Sequence, residues 1–174
     1  MMDLAVVYED NHLLVVNKPA GIPTQSDSSG DLSLLDAAKT WLIETYHKPG
    51  NAYLGLVHRL DRPVAGIMVL AKTSKAAGRL SAMIRERSMV KEYTAVTEGG
   101  DLPDFRRVHH HLCKDRHRRI SRVVSSGHPQ ARPAVLEYRV MARQAACALL
   151  HVHLLTGRSH QIRVQLAALG TPIL

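Results

Sequence analysis

A chain of 174 residues, 45% of them apolar, is long enough to bury a core in one domain without disulfide or metal staples. Its two cysteines, Cys113 and Cys147, stand far apart with no partner pattern, which argues against a disulfide framework or a cysteine zinc site and fits a reducing compartment. The formal charge of +8 rests on 16 arginines and 7 lysines; arginine's planar fork suits phosphate, so a polyanion is the natural partner, while aromatics at 4% are too few for a module built on stacking platforms.

The opening stretch MMDLAVVYEDNHLLVV has no positive leader and carries Asp3, Glu9 and Asp10 early, so it does not read as a secretory signal. No apolar run approaches the roughly 18 residues that span a bilayer, and the expectation is a soluble, cytoplasmic protein. LAVVYED and LLVVNKP predict two short strands around Asn11-His12, a hairpin. Pro19 to Asp31, rich in Gly, Ser and Pro, predicts a loop. SLLDAAKTWLIETYH has helical spacing, with Ser33 and Asp36 placed like a capping box in which Asp replaces the usual Glu or Gln.

LGLV and GIMVLAKT read as buried strands flanking the joint HRLDRP. Ser74 is positioned to cap a helix through Arg87, and MVKEYTAVTEG returns to strand. Residues 106 to 124 and 134 to 155 predict further strands with turns at SSGHPQ. Thr156 to Ala168 predicts a helix with Ser159 as N-cap and Gly170 as its stop. Strands follow one another more than they alternate with helices, which predicts an α+β fold: a mixed, largely antiparallel sheet with flanking helices.

Within the joint, Asp61 sits among three potential cations, His58, Arg59 and Arg62. Pro63 restrains residue 62 away from the helical region and Gly66 opens the next strand, so the carboxylate belongs to a fixed, non-helical turn. Nearby positive charge favours an ionised carboxylate, which suits a nucleophile or electrostatic stabiliser more than a general acid. The same spacing also fits an aspartate that merely closes a turn against a local arginine.

Four stretches in order give the chain a resemblance. HRLDRPVAGIMVLAKT is similar to the signature of the RluA family of pseudouridine synthases, YEDNHLLVVNKPAGIPTQ to its opening hairpin and Asn-Lys-Pro-Ala-Gly loop, KEYTAVTEG to its tyrosine-bearing strand, and LLTGRSHQIRVQLAALGTPIL to the motif that closes the active site. The resemblance implies the pseudouridine synthase catalytic fold and isomerisation of uridines in structured RNA, ribosomal or transfer. It makes Asp61 the catalytic carboxylate at ribose C1′ while the uracil detaches, rotates and rejoins through C5. Arg59 would help extrude the uridine, an act that costs a few kcal/mol of stacking. Tyr93 would lie on the uracil face and take the C5 proton, and Arg163 would pair with Asp61. No metal and no cofactor are implied, since the leaving group is also the returning nucleophile. RNA is the expected partner, with no DNA and no membrane.

Each of these residues also has a plainer reading. Tyr93 suits a core position with its hydroxyl at the surface, and Arg163 a solvated helix position beside an Ile162, Leu166, Leu169 stripe. Arg158 and His160 stand where a helix N-terminus meets phosphate, or on ordinary surface. RRVHHHLCKDRHRRISR holds seven Lys/Arg against one acid, Asp115, and reads as an RNA-backbone strip or as a solvated hairpin. His109, His110 and His111, with His151 and His153, lack a cluster of acids or cysteines that would make a metal site.

Val64-Ala65 replaces a pair that is commonly Thr-Ser in the family, and Gln165 stands where His is frequent. The family pattern also continues beyond Leu174. The resemblance therefore implies a single catalytic domain over 1–174, short at its C-terminus, with no small RNA-binding domain ahead of the hairpin. The rival reading is a non-catalytic RNA-binding protein on the same fold.

Overall fold

A computed structural model describes residues 3–99, 101–115 and 120–174. The chain divides into two compact units, Met1–Glu86 and Arg87–Leu174.

In the first unit, β1 (Val6–Glu9) and β2 (Leu13–Lys18) form the expected antiparallel hairpin. Asp10 closes it, its Oδ1 accepting the N–H groups of His12 and Leu13 at 2.7 Å each. The helix α1 (Leu34–Tyr46) follows, then the two-residue strand β3 (Gly55–Leu56), β4 (Gly66–Ala71) and the helix α2 (Ser74–Arg85). The sheet runs β1-β2-β4-β3 with every pairing antiparallel. Alternation in β2 and β4 turns Leu14, Val16, Met68 and Leu70 inward, against Leu34, Ala38 and Leu42 at one-turn spacing along α1. Each of these leucines is essentially buried and contributes roughly 1.5–3 kcal/mol.

Ser33 caps α1 as its spacing indicates: its Oγ accepts the Asp36 N–H at 3.2 Å and donates to the Asp36 carboxylate at 2.6 Å. Ser33→Ala is therefore expected to destabilise this unit by about 1 kcal/mol, read from the fluorescence of Trp41, the single tryptophan, during urea unfolding. The second helix starts differently from its expectation. Its cap is Thr73, one residue before Ser74, with Oγ1 accepting the Ala76 N–H at 3.1 Å. It ends at Arg85, two residues short of Arg87, which takes a left-handed φ of 61°. Gly55 permits the helix to approach β3, since a Cβ there would lie 2.9 Å from that of Ala77.

In the second unit, β5 (Glu92–Glu98), β6 (Phe105–Asp115), β7 (Ile120–Val124), β8 (Arg132–Gln144) and β9 (Cys147–Leu154) build a sheet of order β5-β9-β8-β6-β7. All its pairings are antiparallel. Along β9 the residues alternate between buried and half-buried, and Leu150 and Val152 join Val108, Leu136 and Tyr138 in one core. The helix α3 (Gln161–Ala168) packs Leu166 into this core, with Ile162 and Leu169 beside it. The architecture is α+β as the sequence indicates, its antiparallel strands forming two sheets. No helix among the described residues is long and apolar enough to cross a membrane.

Candidate functional site

The turn that carries Asp61 is held on both sides. Val64 donates its N–H to the Asp61 carbonyl at 3.0 Å, closing the turn over Arg62 and Pro63. On the N-terminal side, the buried Thr24 donates its Oγ1 to the Leu60 carbonyl at 2.7 Å and accepts the Leu60 N–H at 3.3 Å. On the C-terminal side, the Arg62 carbonyl accepts from the Gly21 N–H at 2.8 Å and from Lys18 Nζ at 3.2 Å. The loop after β2 thus straps the residues before and after Asp61, leaving the half-buried carboxylate on a backbone with little freedom. Gly21 reaches Arg62 with φ at +90°, the left-handed region that favours glycine.

Lys18 is a site residue that the sequence reading did not single out. It ends β2 opposite Gly66 and is completely buried, its ammonium donating to the carbonyls of Pro19 and Ile22 at 2.9 Å each besides that of Arg62. Burial pulls its pKa below the usual lysine range, while the opposite charge of Asp61 acts to raise it. Lys18 is therefore a buried cation whose charge is coupled to that of the candidate carboxylate.

Of the three cations expected around Asp61, His58 and Arg62 each also hold another part of the unit. His58 Nε2 accepts the Val69 N–H at 3.0 Å and so binds the backbone of β4. Arg62 turns to the preceding loop, with Nη1 donating to Asp31 at 2.6 Å and Nη2 to Ser29 Oγ at 2.7 Å and to Asp27 at 3.3 Å. Only Arg59 keeps an exposed position. The Arg62 pairing fastens residues 27–31 to the Asp61 turn.

Hydrogen bonds from Ser29, followed by the Arg62 guanidinium, hold the Asp27 carboxyl down at about 2 against an ordinary 3.8. A folded-state pKa below the unfolded value means stability fully present above about 4 and lost as pH falls through about 2. A carboxyl-carbon NMR titration is expected to give Asp27 a midpoint near 2, rising toward the ordinary carboxylate value in Arg62→Gln.

The second unit holds the remaining candidates. Tyr93 lies on β5 opposite Val152, half-buried against the core. Arg163 is exposed on α3, two residues after its start. The helix begins later than expected and without Ser159 as its cap: His160 occupies the N-cap at a left-handed φ of 54° and makes no side-chain cap bond. Gln161 organises this end instead. Its Oε1 accepts from Thr156 Oγ1 at 2.8 Å and from the Arg158 N–H at 2.9 Å, while Nε2 donates to the Val135 carbonyl at 3.1 Å. Arg158 is fixed further by its Nε donating to the Pro133 carbonyl at 3.0 Å.

Gln165, noted only as a departure from the family pattern, is fully buried and bridges β6 and β8 through the carbonyls of Val108 and Ala134, at 3.3 and 3.2 Å. Gln161 and Gln165 lie one turn apart, which was the available signal for two buried amides on one helix face.

Of the basic segment, Arg106, Arg107 and His109 on β6 are exposed, and Arg107 Nε pairs with Glu137 at 3.3 Å. Arg116, His117, Arg118 and Arg119 lie outside the described residues. His151 and His153 face Glu92 and Glu137 at 3.8 and 4.0 Å. Among the described residues no three histidines, cysteines or acids gather as a metal site would require.

The first unit therefore presents one carboxylate on an immobilised turn with a buried ammonium coupled to it, and the second a tyrosine and an arginine on sheet and helix. A sequence model of the RNA pseudouridylate synthase family matches residues 12–168. Ribosomal large subunit pseudouridine synthase D of Pasteurella multocida is 37% identical over 99% of this chain and 52% of its own length. Ribosomal large subunit pseudouridine synthase C of Vibrio cholerae is 33% identical over 99% and 51%. Human RNA pseudouridylate synthase domain containing 4 superposes with a TM-score of 0.82 at 28% identity, covering 98% of this chain and 66% of that one. The chain spans about half the length of the curated relatives it matches.

Proposed function

Because the chain belongs to the RNA pseudouridylate synthase family, we propose that it isomerises uridine to pseudouridine in RNA, with ribosomal RNA as the substrate and Asp61 as the catalytic carboxylate. The observation that carries this reading is the strapped turn. Five hydrogen bonds hold Asp61 and the residues on either side of it, a degree of immobilisation that a surface ion pair does not need and an attacking group does.

The reaction balances without an external reagent. Asp61 attacks or stabilises ribose C1′ as the C1′–N1 bond breaks. The uracil turns, C1′ bonds to C5, the C5 proton leaves, and N1 gains a proton. Tyr93, half-buried on a strand, is assigned to the uracil face as the group that takes the C5 proton. Arg163 takes the role the resemblance gives it, countercharge to the carboxylate. Arg59, exposed next to the turn, fills the space of an extruded nucleotide, with the unstacking cost met by contacts to the RNA.

The test compares total RNA from cells with and without this gene, mapping pseudouridine by carbodiimide modification and primer extension. A ribosomal uridine that loses its mark on deletion and regains it with the wild-type gene is the expected result. An unchanged map overturns the synthase reading and leaves RNA binding as the leading one.

A further inference from the structure

We propose that the second unit carries a binding site for RNA backbone phosphates built from Arg87, Lys91, Arg132 and Arg158, an assignment that takes its ligand from the synthase reading above. The site lies at one end of the five-stranded sheet, beside a cleft of about 320 Å³ whose lining includes Arg87, Lys91, Arg107, His109 and His153.

The backbone sets the cations in place. Lys91, just before β5, accepts the Leu154 N–H on its carbonyl at 2.9 Å, and the N–H groups of Leu155 and Thr156 both reach the Val135 carbonyl, at 3.1 and 3.2 Å. Arg158 bonds back to Pro133, next to Arg132. A Cβ placed on Gly157 would lie 3.8 Å from Lys91 Nζ, so the loop before α3 passes close to that ammonium. Strand ends and the helix-leading loop thus bring four cations from three separate stretches of the sequence to one place.

Their charge balance points to an anion. Arg107 is already matched by Glu137 at 3.3 Å. Among the described residues, no carboxylate lies within ion-pair distance of Arg87, Lys91, Arg132 or Arg158. They act on one another instead. Burial and then Arg87 push the Lys91 ammonium below its usual range, and burial followed by Arg132 and Arg87 does the same to Arg158. Like charges without counter-ions, half-buried at Lys91 and Arg158 and exposed at Arg87 and Arg132, raise the energy of the free protein, and an arriving polyanion relieves it. Three of the four are arginines, whose forks match phosphate oxygens in pairs. The loop that holds Arg158 runs directly into the helix of Arg163, so phosphates held here lie next in the chain to a residue assigned to the chemistry.

The test is fluorescence anisotropy of an end-labelled ribosomal RNA hairpin across a potassium chloride series, for wild type, R87Q/K91Q, R87K/K91R, and the charge-matched control K75Q/R79Q on the exposed face of α2. Two lost phosphate contacts are expected to weaken binding roughly tenfold and to reduce the salt slope by about 1.5. R87K/K91R should restore both quantities, which separates charge from folding, and K75Q/R79Q should leave them at wild-type values. Wild-type affinity and slope in R87Q/K91Q would overturn the site, as would an equal loss in the control pair. Pseudouridine formation is measured on the same RNA. If wild type forms none while R87Q/K91Q still loses binding and slope, the synthase reading fails and the phosphate site stands.

Discussion

Replacing Asp61 with asparagine is expected to abolish tritium release from RNA labelled at uridine C5, by at least about a thousandfold in kcat, or roughly 4 kcal/mol of transition-state stabilisation. The substitution is isosteric and leaves the turn bond, which uses the Asp61 carbonyl. Circular dichroism and RNA affinity should therefore stay at wild-type values, placing the loss in the chemical step. Asp61→Glu keeps the charge but moves it by one methylene on an immobilised backbone, and a displacement near 1 Å costs about a hundredfold. Turnover by Asp61→Asn within tenfold of wild type would remove the carboxylate from the mechanism.

Lys18→Met is the second large effect. The methionine keeps the apolar stem in the core but withdraws the ammonium from three carbonyls. The Arg62 carbonyl retains its bond from Gly21; those of Pro19 and Ile22 lose their Lys18 donor, at about 1–3 kcal/mol each. Relief of the buried charge offsets part of that, for a net loss of about 3 kcal/mol and a fall in melting temperature of roughly 10 °C. Trp41 in α1 reports the first unit's transition. Because the same ammonium straps the Asp61 turn, kcat should fall with Lys18→Met even well below the melting range. A variant that melts and turns over like wild type would show that this buried cation does neither job.

What the sequence revealed was governed by neighbours close in the chain. Ser33 and Asp36 are three residues apart, and the cap they predict is the cap observed. The hairpin around Asn11-His12 and the turn after Asp61 are equally local. Lys18 was missed because its most telling partner, the Arg62 carbonyl, lies 44 residues away, and a lysine after an apolar strand ordinarily points to solvent. The Arg62 pairing was hidden for the same reason, with Asp27 and Asp31 at 35 and 31 residues' distance. Ser159 looked like a helix cap by type, but the Gln161 N–H that such a cap would take goes to the Arg158 carbonyl at 3.2 Å, and the helix starts one residue later. Residue type predicts what a group can bond; only the fold decides which partner reaches it first.

The glutamines of α3 bear on how this segment can change over evolutionary time. A helix seated on hydrocarbon alone can roll or slide by a fraction of a turn while side chains repack. Here Gln161 and Gln165 fasten the helix to Val135, Val108 and Ala134 through directional bonds from amides buried in the core. Drift in the apolar residues Ile162, Leu166 and Leu169 can therefore proceed without re-aiming Arg163, whereas a glutamate at either amide position would lose the donor and leave the anchor broken. The helix behaves as a keyed shaft: its lubricated surfaces are free to wear, and its orientation is inherited through two teeth.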